Sequence, residues 1–201
     1  MRTVDFYFDF MSPFAYLAAH RLRELAARYE GKAKFVCHPI DLIAARFKAG
    51  NTGPFNRDQP AKMKALLMDL QRWAKRYGIP IGFPKGLETA RLNRGYFYAM
   101  QQGRGADYMK AGFAAVWAES GNPADEGLIR QVASKAGLSP EKLLAATESP
   151  EALREYEKEN NEAQARGVFG VPIFMVDDQI YWGNDRIEFL EEYLEGALAK
   201  R

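Results

Sequence analysis

The first ten residues alternate. Val4, Phe6, Phe8 and Phe10 stand in one phase and Asp5, Tyr7 and Asp9 in the other, the period of two that marks a strand. At Met11-Ser12-Pro13 the period changes. Phe14, Leu17, Ala18, Leu22, Leu25, Ala26 and Tyr29 then recur at helical spacing, and Gly31 stands where such a helix would end. A short apolar run, Phe35-Val36-Cys37, closes at Pro39. Strand, helix and strand with short connections predict a parallel pair with a right-handed crossover.

From about residue 42 to 165 the pattern is helical and no convincing strand appears. Met63, Leu66, Leu67, Leu70, Trp73 and Tyr77 form a stripe that ends at Gly78. Further helices are predicted over about 89–102, 106–119, 125–136, 140–147 and 150–165. Their Met and aromatic stripes read as packing between helices. Strand pattern returns at Val171-Pro172-Ile173-Phe174-Met175-Val176 and at Gln179-Ile180-Tyr181-Trp182, with Asp177-Asp178 as the turn of a hairpin. A last amphipathic helix from about Asp185 turns Ile187, Phe189, Leu190, Tyr193, Leu194 and Leu198 inward. This is the order of an α/β, thioredoxin-like domain interrupted by a large all-helical insertion. Residues 1–41 and 166–201 would form the former and residues 42–165 the latter.

Composition narrows the function classes. In 201 residues, 47% apolar and 27% charged, there is enough apolar material for a sizeable core. The formal charge of +2, from 28 basic and 26 acidic residues, is too small to point to nucleic acid or an anionic membrane. Charge runs such as Glu155 to Glu162 read as solvated helix faces. With Cys37 as the lone cysteine, neither an internal disulfide nor a cysteine metal cluster is possible, and no metal site is expected. No segment approaches the ~20 apolar residues of a membrane span, and no signal peptide is visible. The expected location is the cytoplasm.

The corner at Ser12 has two readings. Serine before proline before a helical period is a good N-cap with proline at the first helical position. A helix N-terminus also favours an anion, through free N–H groups and the macrodipole. A thiol of pKa ~8.5 needs about 2 kcal/mol of differential stabilisation to be half ionised near pH 7. A hydrogen bond from the hydroxyl supplies roughly 1.5–3 kcal/mol and the helix terminus about 0.3–1 kcal/mol. Serine there could activate the thiol of another molecule. Neither His20 nor His38 has a spacing that marks it as a base for Ser12.

Four segments carry a resemblance: DFYFDFMSPFAYLA at the start, GNTGPFNRD at 50–58, DLQRWAKRYGIPIGFP at 69–84 and VFGVPIFMVDDQIYWGNDR at 168–186. In order and spacing, over essentially the whole chain, they resemble the 2-hydroxychromene-2-carboxylate isomerases and the related kappa-class glutathione S-transferases. The last segment favours the isomerase branch. The resemblance implies a dimeric, glutathione-dependent enzyme of thioredoxin-like fold, interconverting 2-hydroxychromene-2-carboxylate and trans-o-hydroxybenzylidenepyruvate in aromatic catabolism. It implies that Ser12 stabilises the glutathione thiolate. Val171, before a cis Pro172, would pair its backbone with the tripeptide. Trp182, Gly183, Asn184 and Asp185 would hold the γ-glutamyl end, and Asn51 and Lys62 the glycyl end. Read without the resemblance, Asn184 and Asp185 are helix caps, Trp182 is core and Lys62 is a solvated lysine. For the aromatic substrate, Met11, Phe14 and Phe10 offer an apolar wall. Phe55, Asn56 and Arg57, with Arg91 and Asn93, are candidates for its carboxylate, although the arginines fit surface ion pairs equally well.

Other activities on this scaffold would leave different marks. A kappa-like glutathione transferase making stable conjugates would use the same Ser12 corner. A thiol-disulfide oxidoreductase of the DsbA type needs Cys-x-x-Cys where this chain has Ser12-Pro13-Phe14-Ala15. A binding protein without catalysis leaves Ser12 and the Gly170-Val171-Pro172 segment without a joint purpose.

Overall fold

A computed structural model describes residues 1–53 and 58–199. Its sheet has the order β2-β1-β3-β4. Strand β1 (Arg2–Phe8) lies parallel to β2 (Ala33–Pro39) and antiparallel to β3 (Ile173–Val176), which pairs antiparallel with β4 (Gln179–Trp182). Because β1 is central, its alternation does not divide core from solvent. Val4, Phe6 and Phe8 enter the main apolar core, whereas Tyr7 enters a second cluster with Ile40, Ala45, Ala163, Val168, Val171, Ile173 and Met175. Asp5 and Asp9 share Tyr7's phase and are buried too.

Helix α1 (Pro13–Arg28) starts at the Ser12 cap and stops at Tyr29, two residues before the glycine expected to end it. Gly31, at φ +73°, instead serves the turn into β2. Helix α2 (Leu42–Lys48) is too short to announce itself by periodicity and begins at the Asp41 cap. Helix α3 (Pro60–Tyr77) ends at the left-handed Gly78 as its stripe predicts. After α4 (Ala90–Gln101) comes α5 (Gly105–Phe113), which runs into a π-helical turn over Ala114–Ala118. The one regular helix predicted for 106–119 is thus broken at its end. The widened turn carries Trp117, whose indole N–H donates to the Phe10 carbonyl at 2.8 Å in a buried environment. Helices α6 (Glu126–Lys135), α7 (Pro140–Thr147) and α8 (Pro150–Ala165) follow, the last two capped by Ser139 and Ser149.

A 3₁₀ turn (Asn184–Arg186) precedes α9 (Ile187–Ala199). Ile187, Leu190 and Leu194 are buried as expected. Phe189 is not: it is 51% exposed, with the Arg186 guanidinium over its ring. The Leu198 side chain lies outside the described residues. Glu155 to Glu162 also need correction as a purely solvated face, because Glu159 turns inward to His38 and Asn160 to the Asp41 backbone.

One core joins sheet and insertion. It runs from Phe6, Phe8 and Phe10 through Tyr96, Tyr108 and Phe113 to Leu143 and Leu144, and back to Leu190 and Leu194. Phe10 is wholly buried, 4.7 Å from the Phe113 ring, so it belongs to this core and not to the wall of a pocket. Among the described residues no helix is long and apolar enough to cross a membrane.

Candidate functional site

The strand-to-helix corner is braced by hydrogen bonds on both sides of Ser12. The Ser12 N–H donates to the Asp9 carbonyl at 3.0 Å, which closes the turn, and the Ser12 hydroxyl accepts from the Ala15 N–H at 3.2 Å, which caps α1. That bond uses a lone pair of the oxygen and leaves the hydroxyl proton without an acceptor among the described residues. Ser12 is 4% exposed. A sulfur reaching it would leave bulk water behind, meet a hydroxyl donor and lie at the N-terminus of a 16-residue helix.

The distant segment 168–186 packs against α1 through its 3₁₀ turn. The Val171-Pro172 peptide is cis. The Pro172 carbonyl accepts from the Gly183 N–H at 2.9 Å, and the 3₁₀ turn that follows Gly183 packs on α1. Val171 is buried, yet neither its N–H nor its carbonyl has a partner among the described residues. Such a pair is what an extended peptide needs for strand addition. Gly183 sits at φ +112°, and a Cβ there would collide with the Asp185 carboxylate. Asn184 is 3% exposed and its amide nitrogen has no hydrogen-bond partner among the described residues. That buried donor is open to a ligand's acceptor. Asp185 is exposed beside Arg186. Trp182 is not core: it is 57% exposed and edge-on to Phe169 at 5.1 Å.

The remaining candidates are more scattered. Asn51 is exposed, its carbonyl oxygen 3.4 Å from an Arg46 nitrogen, and Lys62 is exposed in the first turn of α3. Met11 and Phe14 are partly buried, and Phe14 packs with Leu17, Leu70, Ala74, Trp73 and Tyr77 against α3. Phe55, Asn56 and Arg57 lie outside the described residues. Arg91 pairs with Glu126 at 3.1 Å and lies 2.7 Å from Glu148 without the alignment of a hydrogen bond. Asn93 is wholly buried and fully engaged: its oxygen accepts from Phe10 N–H, and the two hydrogens of its amide are shared among Asp9, the Ile40 carbonyl and the Tyr156 hydroxyl. It has no group left for a substrate carboxylate and serves the corner instead.

Two buried polar clusters escape the sequence pattern. In the first, Asp9 Oδ1 accepts from Met11 N–H, the Thr89 hydroxyl and Asn93, and Oδ2 accepts from Leu42 N–H. Burial pushes its pKa up from the usual carboxylate range, while the hydrogen bonds from Thr89, Met11, Leu42 and Asn93 act against that rise. In the second, His38 lies between Asp5 at 2.9 Å and Glu159 at 2.8 Å, one on each ring nitrogen. Arg166 closes the group, 2.7 Å from Asp5 and 2.7 Å from the Tyr7 hydroxyl. Burial alone would lower the His38 pKa, but the bonds and charges of Glu159 and Asp5 outweigh it and hold the value above the ordinary one. Burial likewise pushes Tyr7 up to about 12. Neither cluster had a spacing signal, since Asp5 and Asp9 look like the outer phase of a strand. Cys37 is partly buried beside Tyr96, its thiol pushed up to about 12, which makes it no nucleophile. Among the described residues no group of His, Cys, Asp and Glu could hold a metal ion.

Comparisons with known proteins bear on the fold and the family. The model of the DSBA-like thioredoxin domain matches residues 3–195. The 2-hydroxychromene-2-carboxylate isomerase of Sphingobium xenophagum is 41% identical over 193 residues, 96% of this chain and 98% of that protein. A solved structure of a 2-hydroxychromene-2-carboxylate isomerase superposes with a TM-score of 0.91 at 40% identity, covering 98% of this chain and 96% of the other. More distantly, glutathione S-transferase kappa 1 of Homo sapiens is 29% identical over 212 residues, 96% of this chain and 91% of that protein. The shared fold, the near-complete coverage and the identity place the chain: it belongs to the DsbA-like thioredoxin domains and, within them, to the 2-hydroxychromene-2-carboxylate isomerase family.

Proposed function

We propose that the protein is a glutathione-dependent isomerase that interconverts 2-hydroxychromene-2-carboxylate and trans-o-hydroxybenzylidenepyruvate. The observation that carries this reading is the Ser12 hydroxyl, which caps α1 through its oxygen and whose proton has no acceptor among the described residues. The residues present fit glutathione. Among the described residues the Val171 backbone groups and the buried Asn184 amide donor have no partner, which suits them to the peptide. Asp185 suits the α-ammonium, Gly183 keeps the approach clear, and Trp182 with Phe169 walls one side. Lys62 and Asn51 suit the glycyl carboxylate.

Bound glutathione would supply a thiolate able to add transiently to the carbon–carbon double bond, so that rotation and release follow. The chain's own part is electrostatic and steric. Ser12 donates to the sulfur and, with the α1 N-terminus, favours its ionised form. Met11 and Phe14 give the substrate ring an apolar surface. Among the described residues no histidine is bonded to Ser12, so it acts as a donor and not as a nucleophile. The kappa-class relative makes a transferase the reading to exclude. Turnover of 2-hydroxychromene-2-carboxylate should need catalytic glutathione and leave free thiol undiminished. Stoichiometric loss of thiol would make the protein a transferase.

A further inference from the structure

The chemistry above makes no use of Asp9, yet this buried carboxylate accepts four hydrogen bonds among the described residues. The Met11 N–H reaches it at 3.0 Å, the Thr89 hydroxyl at 2.5 Å, the Asn93 amide at 3.0 Å and the Leu42 N–H at 3.0 Å. The donors mark three helix starts. Met11 precedes the Ser12 cap of α1, and Leu42 is the first residue of α2. Thr89 holds the N-cap position of α4, makes no side-chain cap bond and donates its hydroxyl proton to Asp9. The turn at Ser12 does not need these bonds, because the Asp9 main-chain carbonyl already closes it. What the side chain adds is a tie from that turn to α2 and α4. Helix α2 leads directly to Asn51.

Chemistry explains why the residue is an acid. Three of the donors are N–H groups that cannot accept, and a carboxylate alone offers acceptors on both of its atoms. An asparagine would turn an N–H against one of them. Asn93 and Trp117 hold the next residue from the other side, through the Phe10 N–H at 3.3 Å and its carbonyl at 2.8 Å.

We infer that Asp9 is a positioning residue: it aims the Ser12 hydroxyl at the bound sulfur and holds α2, with Asn51, at a fixed distance from it. The inference rests on the glutathione reading of Ser12. It is tested with the full chain by calorimetric glutathione binding and by the absorbance of the bound thiolate against pH. Removing a nearby acid without moving anything would make the thiolate easier to form. Lost aim does the opposite, so the sign of the change separates the two.

Asp9→Asn should bind glutathione about tenfold more weakly, raise the apparent thiol pKa and lower kcat/KM about 10²-fold. Thr89→Val withdraws one bond and should move binding and pKa the same way by less, which keeps the inference open to refutation if Asp9→Asn does not fold. Thr147→Val is the control for lost stability. That threonine is equally buried, bonds only the Leu144 carbonyl through its hydroxyl, and should leave both readouts at wild-type values. Wild-type affinity, or an unchanged or lowered thiol pKa, in the folded Asp9 or Thr89 variant overturns the inference alone. A wild-type protein that binds no glutathione overturns the reading of Ser12 and this inference with it.

Discussion

Asp5 and Asp9 stand four residues apart in one phase of the same chain segment, and the fold treats them oppositely. Asp5 meets charged partners, His38 and Arg166, and through His38 a second acid, Glu159. Asp9 meets neutral donors only, two of them main-chain N–H groups at the starts of helices. An ion cluster tolerates rearrangement, because its long side chains can shift and its energy depends on protonation. A carboxylate held by main-chain donors defines positions and leaves no slack. The geometric cluster lies at Ser12, and the titratable one lies away from it against α8.

The largest effect should come from breaking the Asp9 side of this contrast. Asp9→Ala leaves the Met11 and Leu42 N–H groups and the Thr89 hydroxyl without their acceptor and should cost about 3–5 kcal/mol, read by urea denaturation. Asp5→Asn keeps a polar group opposite His38 and Arg166 and should cost about 1–3 kcal/mol in the same assay.

Next comes the pH dependence that the Asp5 cluster should carry through His38. The folded-state pKa of His38 is raised, so the protonated ring is the stabilised form. Its contribution is complete below the unfolded value of about 6.5 and is lost as pH rises through the folded value. Denaturation across that range should show stability falling with rising pH, and Asp5→Asn should flatten the slope and lower the His38 pKa in an NMR titration. A slope unchanged in Asp5→Asn would remove this cluster as its source. The smallest change is Trp117→Phe, which keeps a ring but loses the bond to the Phe10 carbonyl, and should cost about 1 kcal/mol by denaturation.

How much of this was legible in the sequence follows from the same contrast. Periodicity reports which residues face apolar neighbours, and it located β1, α1, α3 and α6–α8 to within a few residues. It could not report that β1 is covered on both faces, so Asp5 and Asp9 looked like an outer phase. It missed α2, whose seven residues are too few for a stripe, and it read through the π turn because Trp117 keeps roughly helical spacing. At the site, Ser12 was visible because a cap before proline has a local signature, and the 168–186 segment because its motifs resemble a family's. Asn93 was misjudged as a ligand for a substrate carboxylate because its partners, Asp9, Ile40 and Tyr156, come from three distant stretches of chain.

The central claim is that Ser12 both caps a helix and stabilises another molecule's thiolate. Titrating the thiolate absorbance of glutathione bound to wild type and to Ser12→Ala tests it most directly. The account predicts a folded variant, destabilised by about 1 kcal/mol for the lost cap, whose bound thiol titrates at a higher pH than in the wild type. The same titration curve in both proteins would leave Ser12 a helix cap and nothing more.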